Sequence, residues 1–240
     1  MNVSIHPSPG AANASAAALL MQWLATPDVR NVMLAGGNTP LELYGIIGAR
    51  KPDLAHLNVF ALDEYVGVPP AEPRNCANLI HRSAVGPWGV PSRQYHSICS
   101  AEADALASVQ AHEQQITEAG GLDVIILGLG QNGHLGFNEP DSAEDSAARV
   151  LDLGAISIAA NREWFGGDYA PATGATVGMK TILAARRVLL LAYGAHKTAA
   201  AAAMIEGPRT IQCPASLLQG HPAVHVILDE PAAAGLRPTL

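Results

Sequence analysis

Five short runs rich in leucine or β-branched residues constrain this chain most: NVMLA (31–35), LNVFALD (57–63), DVIILG (123–128), RVLLLAY (187–193) and AVHVILD (223–229). The intervals between them are too long for hairpins, and runs that are apolar rather than alternating suit strands buried on both faces of a parallel sheet. Between them lie stretches of helical character, among them AANASAAALLMQWLA, TPLELYGIIGAR, AEADALASVQAHEQQITEAG and HKTAAAAAMIEG. The alternation predicts an α/β fold: a doubly wound, mostly parallel sheet with helices on both faces, in a Rossmann-like three-layer arrangement. With 240 residues, 49% of them hydrophobic, a single domain over 1–240 is expected.

Thr39 followed by Pro40 predicts the N-cap and first turn of one helix, and Gly120 with Gly121 the stop of another. Ligands of open α/β sheets bind beyond the carboxyl ends of the strands, so chemistry is expected in the loops after residues 35, 62, 128 and 193. The glycine-rich stretch NREWFGGDYAPATGATVG (161–178) has no clear period. It reads either as the body of a lid spanning 161–181 or as an ordinary surface excursion.

A formal charge of -7 without a run of Lys or Arg argues against a nucleic-acid surface, which needs clustered cations. A small phosphorylated ligand stays compatible, because a few local donors outweigh a distant field. No apolar run approaches the ~20 residues of a membrane span, and no Lys or Arg precedes Arg30 to start a secretory signal. Cys76, Cys99 and Cys213 are too scattered for a disulfide framework or a zinc site and read as reduced thiols. A soluble cytoplasmic protein without membrane contact is the resulting expectation.

Each of the four loops carries residues with chemical use. In LAGGNTP (34–40), Gly36 and Gly37 let backbone amides approach a ligand, and the helix starting near Thr39 turns its positive end to the same place, as an anion would require. A plain strand-to-helix turn uses similar residues. In LDEYVG (62–67), Asp63 and Glu64 are adjacent, so strand alternation turns only one toward the crevice. Asp63 facing inward would be a base placed to take a proton from carbon.

GLGQNGHLGFNEP (128–140) matches the G-x-G-x-x-G spacing of a dinucleotide turn. Its context fails: Asn138 and Pro140 oppose a long helix, and the match lies past the midpoint of the chain. The competing reading is a catalytic loop in which Glu139, five residues after His134, orients the imidazole for proton transfer. In AYGAHKTAA, His196 and Lys197 begin a helix, where a lysine gains from a bound anion; Arg162, arriving from the lid, would share it.

Together, LAGGNTP, LDEYVG, GLGQNGHLGFNEP, the spacing to Arg162, and YGAHK followed by CPASLLQGH resemble the glucosamine-6-phosphate deaminase/isomerase family, galactosamine-6-phosphate members included. The resemblance covers nearly the whole chain. It implies conversion of a 2-amino-2-deoxyhexose 6-phosphate and water to a ketohexose 6-phosphate and ammonia, with no metal or organic cofactor and, in some members, a homo-oligomer. By this resemblance His134, oriented by Glu139, opens the sugar ring and Asp63 moves the proton between C2 and C1. The phosphate falls to Gly36, Gly37, Asn38, Thr39, Arg162 and Lys197. One position departs from the best-known members: Asn132 stands where they carry Asp two residues before the histidine. An amide orients an imidazole by hydrogen bonding but supplies no charge, which would leave that role to Glu139. The rival readings are a 6-phosphogluconolactonase, with His134 activating water, and a non-catalytic sugar-phosphate sensor.

Overall fold

The computed structural model of the chain describes residues 1–237. Its strands are β1 (Asn2–His6), β2 (Asn31–Leu34), β3 (Asn58–Ala61), β4 (Asp63–Tyr65), β5 (Tyr95–His96), β6 (Val124–Gly128), β7 (Arg149–Asp152), β8 (Thr173–Thr176), β9 (Arg187–Ala192) and β10 (Val224–Asp229). Its helices are α1 (Pro9–Leu24), α2 (Leu41–Ala49), α3 (Cys76–Ile80), α4 (Ala105–Glu118), α5 (Ala155–Trp164), α6 (Met179–Leu183), α7 (Thr198–Ile205) and α8 (Glu230–Ala233).

Seven strands form one wholly parallel sheet in the order β1-β10-β9-β6-β2-β3-β5. From β2 the chain winds outward through β3 to β5, then returns to β6 on the other side of β2, where Val32 pairs with Val124. The winding therefore reverses between β2 and β6, and the loops leaving these two strands part to open a crevice. Side chains alternate across the sheet. Val32, Leu34, Val124, Ile126, Leu189 and Leu191 pack under α1 and α2, while Met33, Ile125, Leu127, Val188 and Leu190 pack under α4, α6 and α7. Each fully buried side chain of this size contributes about 1.5–3 kcal/mol, which is why strands covered on both faces read as unbroken apolar runs.

All five predicted strands are present, and the sheet adds β1 and β5 at its edges. Neither edge strand has an apolar run to announce it: NVSIH is mostly exposed and β5 is only two residues long. Helix starts shift slightly from expectation. α2 begins at Leu41 with Pro40 before it and no side-chain cap from Thr39, and α7 begins at Thr198 after a 3-10 turn over Ala195–Lys197. Gly120 and Gly121, both at positive φ, do end α4. Among the described residues no helix is long and apolar enough to cross a membrane.

A second, antiparallel sheet, β4-β8-β7, was not anticipated, and it corrects the reading of 161–181 as one lid. β8 lies between β4 and β7, with Thr176 fully buried, and α6 follows it; these residues cannot lift without breaking the sheet. Small residues here serve close packing: a Cβ on Gly174 would come within 2.4 Å of the Phe137 ring. Only α5 and the turn after it are left to lie over the crevice.

Candidate active site

The crevice is a cleft of about 1080 Å³ bounded by the loops after β2, β3, β6 and β9 and by α5. In the β2 loop two glycines serve different needs. A Cβ on Gly36 would lie 2.7 Å from the Cβ and Sγ of Cys76, and Gly37 has φ +113. The loop thus turns its backbone, with Asn38 and Thr39, to the cleft.

The chain leaves the large sheet at Leu62, whose N–H donates to Leu34 O at 3.0 Å and whose carbonyl accepts from Val177 at 3.2 Å. The step into the small sheet separates the two adjacent carboxyls. Glu64 accepts N–H groups from Tyr65 (2.8 Å), Cys76 (3.1 Å) and Ala77 (2.8 Å) and so holds the start of α3. Asp63 lines the cleft, buried, and its Oδ1 has no hydrogen-bond partner among the described residues. Burial, reinforced by the Glu64 charge and opposed by the Cys76 thiol donating to it, raises Asp63 to about 7.

No helix follows Gly133, and the glycines of the third loop answer to something other than a dinucleotide. A Cβ on Gly130 would lie 2.4 Å from the His134 ring, and Gly133 turns the chain at φ +85. The loop closes on itself where Gly130 N–H donates to His134 O at 3.0 Å. Asn138, fully buried, fastens it by donating to Leu135 O (3.0 Å) and Val177 O (2.9 Å).

Within this loop the expected direct pairing of Glu139 with His134 is replaced by a relay. His134 Nδ1 is 2.8 Å from Asn132 Oδ1 but 3.7 Å from Glu139 Oε2, and Asn132 Nδ2 donates to that Oε2 at 2.6 Å. A carboxylate only accepts, so the amide nitrogen faces Glu139 and the amide oxygen faces the ring. The ring nitrogen opposite Oδ1 then carries the proton, and a neutral His134 keeps its lone pair on Nε2. Although burial opposes it, the nearby His134 ring and hydrogen bonds from Ser157 and Asn132 pull Glu139 down to about 2, so the relay ends on a fixed anion.

Lys197 lines the cleft from the start of α7, half-buried, and is the one permanent cation among the described lining residues. No carboxylate lies within ion-pair distance of it among the described residues, and burial lowers its pKa. Its turn is set by Asp229, whose oxygens accept Gly194 N–H at 2.9 and 3.0 Å.

Arg162, expected beside it, is a correction. It is exposed and outside the cleft lining, where Ser157, Asn161, Glu163 and Trp164 represent α5. Five residues at ~100° each put Arg162 about 140° round the helix from Ser157. Ser157, Cys76 and Asp229 take part in the site without any motif to mark them; the only signal of each is its three-dimensional neighbour. Among the described residues no group of three or more His, Cys, Asp or Glu could hold a metal.

Gly130→Ala tests the loop geometry. Displacing the imidazole by about 1 Å is expected to cost roughly 10²-fold in turnover, against about 1–3 kcal/mol of overpacking in stability. Turnover measured beside a thermal melt separates the two.

A parallel α/β sheet with an acid–base cleft at its topological switch point is the class of enzyme that this fold and site define. The chain belongs to the family described as glucosamine-6-phosphate isomerases/6-phosphogluconolactonase, matched over residues 10–226. It is 42% identical over 208 residues to the glucosamine-6-phosphate deaminase of Cutibacterium acnes, spanning 85% of this chain and 80% of the relative. To the deaminase of Hahella chejuensis it is 37% identical over 241 residues, 98% and 92% of the two chains. Among solved structures, a monomeric glucosamine-6-phosphate deaminase is similar with a TM-score of 0.93 at 27% identity, over 98% of this chain and 100% of the other. A 6-phosphogluconolactonase from Trypanosoma cruzi shares the fold, with a TM-score of 0.81 at 20% identity over 99% and 97% of the chains.

Proposed function

We propose that this protein is an amino-sugar-phosphate deaminase/isomerase of the cytoplasm. It converts glucosamine 6-phosphate or galactosamine 6-phosphate and water to a ketohexose 6-phosphate and ammonia. The observation that carries this reading is the company in one cleft of a buried carboxyl with an unpartnered oxygen, a tautomer-tethered imidazole and an unpaired lysine. His134 Nε2 takes the proton of the anomeric hydroxyl and returns it to the ring oxygen, opening the sugar. Asp63 then removes the C2 proton, and the electron pair moves to the C1 carbonyl to give an enolamine. The same proton returns to C1 while one proton passes from the amino nitrogen to the C1 oxygen, leaving a C1 hydroxyl and an imine at C2; water adds there and ammonia departs. The phosphate binds Lys197 and the backbone of Gly36 to Thr39, and that remote binding holds C2 against Asp63.

Hydrolysis of a lactone needs no base at a sugar C2, so the unpartnered Oδ1 of Asp63 favours the deaminase over a lactonase. Ammonia release from the two epimeric amino-sugar phosphates, with 6-phosphogluconolactone as control, is the test. Release from either epimer is expected; lactone turnover without ammonia would replace this reading. The pH profile follows from Asp63: protonated, it cannot accept the C2 proton, so kcat/KM rises with pH through an acid limb near 7. A profile flat from pH 5 to 8 would exclude Asp63 as the base.

A further inference from the structure

α5 does more than wall the cleft. Its first turn lies against Glu139: a Cβ on Gly154 would come within 3.3 Å of Oε2, and the Ser157 hydroxyl donates to Oε1. Ser157 is 3% exposed, and its oxygen lies 3.3 Å from His134 Nδ1. The Nδ1 proton has the shorter contact, 2.8 Å, with Asn132 Oδ1, which leaves the hydroxyl proton to the carboxylate. Glu139 therefore has one side-chain donor on each oxygen, Asn132 from its own loop and Ser157 from α5. The far end of the helix is pinned as well, where Trp164 Nε1 donates to Arg74 O at 3.0 Å and Arg74 Nη1 donates to Phe165 O at 2.8 Å.

The last torsion of a glutamate side chain is broad. A single donor leaves the carboxylate free to turn, whereas donors on both oxygens define its plane, and that plane decides whether Asn132 stays bridged to the imidazole. We propose that Ser157 is a positioning residue for the acid–base step. It locks the Glu139 carboxylate and, through Asn132, keeps His134 protonated on Nδ1, so the unit is assembled only while α5 is seated. The inference rests on reading the cleft as a deaminase site.

Ser157→Ala and Ser157→Thr, compared in the full chain, test it. In Ser157→Ala, kcat for ammonia release should fall roughly 10- to 100-fold, as for a lost hydrogen bond to a charged group, with KM within about 2-fold of the parent. The ¹⁵N imidazole spectrum of His134 in the ligand-free protein should gain the Nε2-protonated tautomer. Ser157→Thr, which keeps the hydroxyl, should retain the parental tautomer. An Ala variant with the parental tautomer, or one whose loss lies in KM alone, overturns the proposal. Because the spectrum needs no substrate, a parent protein that releases no ammonia would refute the deaminase reading while the tautomer still decides the role of Ser157.

Discussion

Asp63→Asn is expected to lower turnover by roughly 10²–10⁴-fold and, in the same molecule, to raise thermal stability at pH 8. Both effects have one cause. Asp63 is buried with an unpartnered oxygen and is raised from 3.8 to about 7. The folded state therefore binds a proton that the unfolded chain has already released between these pH values. Stability is lost as pH rises through that window, and above 7 the whole penalty is present. A neutral amide removes it, and at ~1.36 kcal/mol for each tenfold change in acidity the gain is about 1–4 kcal/mol. The variant should thus melt higher than the parent at pH 8 and near the parent at pH 4, where both carry a neutral side chain. Equal melting at pH 8, or retained turnover, would remove Asp63 from the role of a base held ready at the cost of fold stability.

Lys197→Met should show the second large effect, in binding rather than in chemistry. The lysine is a half-buried cation with no carboxylate partner among the described residues, held below its ordinary pKa by burial. The substrate phosphate is the partner proposed for it. Losing a charge-assisted contact in a partly desolvated cleft costs about 2–5 kcal/mol, or roughly 30- to 4000-fold in KM for an amino-sugar phosphate. Turnover of the unphosphorylated amino sugar should be almost unchanged. Inorganic phosphate adds a check without catalysis: it should raise the melting temperature of the parent with its concentration, as a ligand of the folded state alone does. The Met variant should not respond. A parental response in the variant would move the phosphate elsewhere, with Arg162 on the outer side of α5 as the first place to look.

Much of this was legible in the chain because the signals were local. A strand covered on both faces is apolar through most of its length, so β2, β3, β6, β9 and β10 appear as runs. β1, β5 and β7 are edge strands paired on one side only, and β8, central in the small sheet, is built from small residues, so none of them shows an apolar run. Gly130, Gly133, His134 and Glu139 fall together because one tight loop holds them all. Position in the chain sufficed to set the dinucleotide reading aside, but not to explain the glycines, since the space that Gly130 leaves for an imidazole exists only once the loop is folded.

What the sequence determined by itself, then, was the parallel sheet, the four loops at its carboxyl end and the residue types available there. Tertiary structure alone decided where those side chains point and what they meet. It sent Asp63 to the cleft and Glu64 to α3, put Asn132 between His134 and Glu139, brought Ser157 from eighteen residues away onto the carboxylate, and turned Arg162 outward. The physical reason is one of range. Hydrophobic period and turn chemistry act over a few neighbouring residues, whereas the direction of a polar side chain is set by whichever donors and acceptors distant segments bring within ~3 Å once the core has packed.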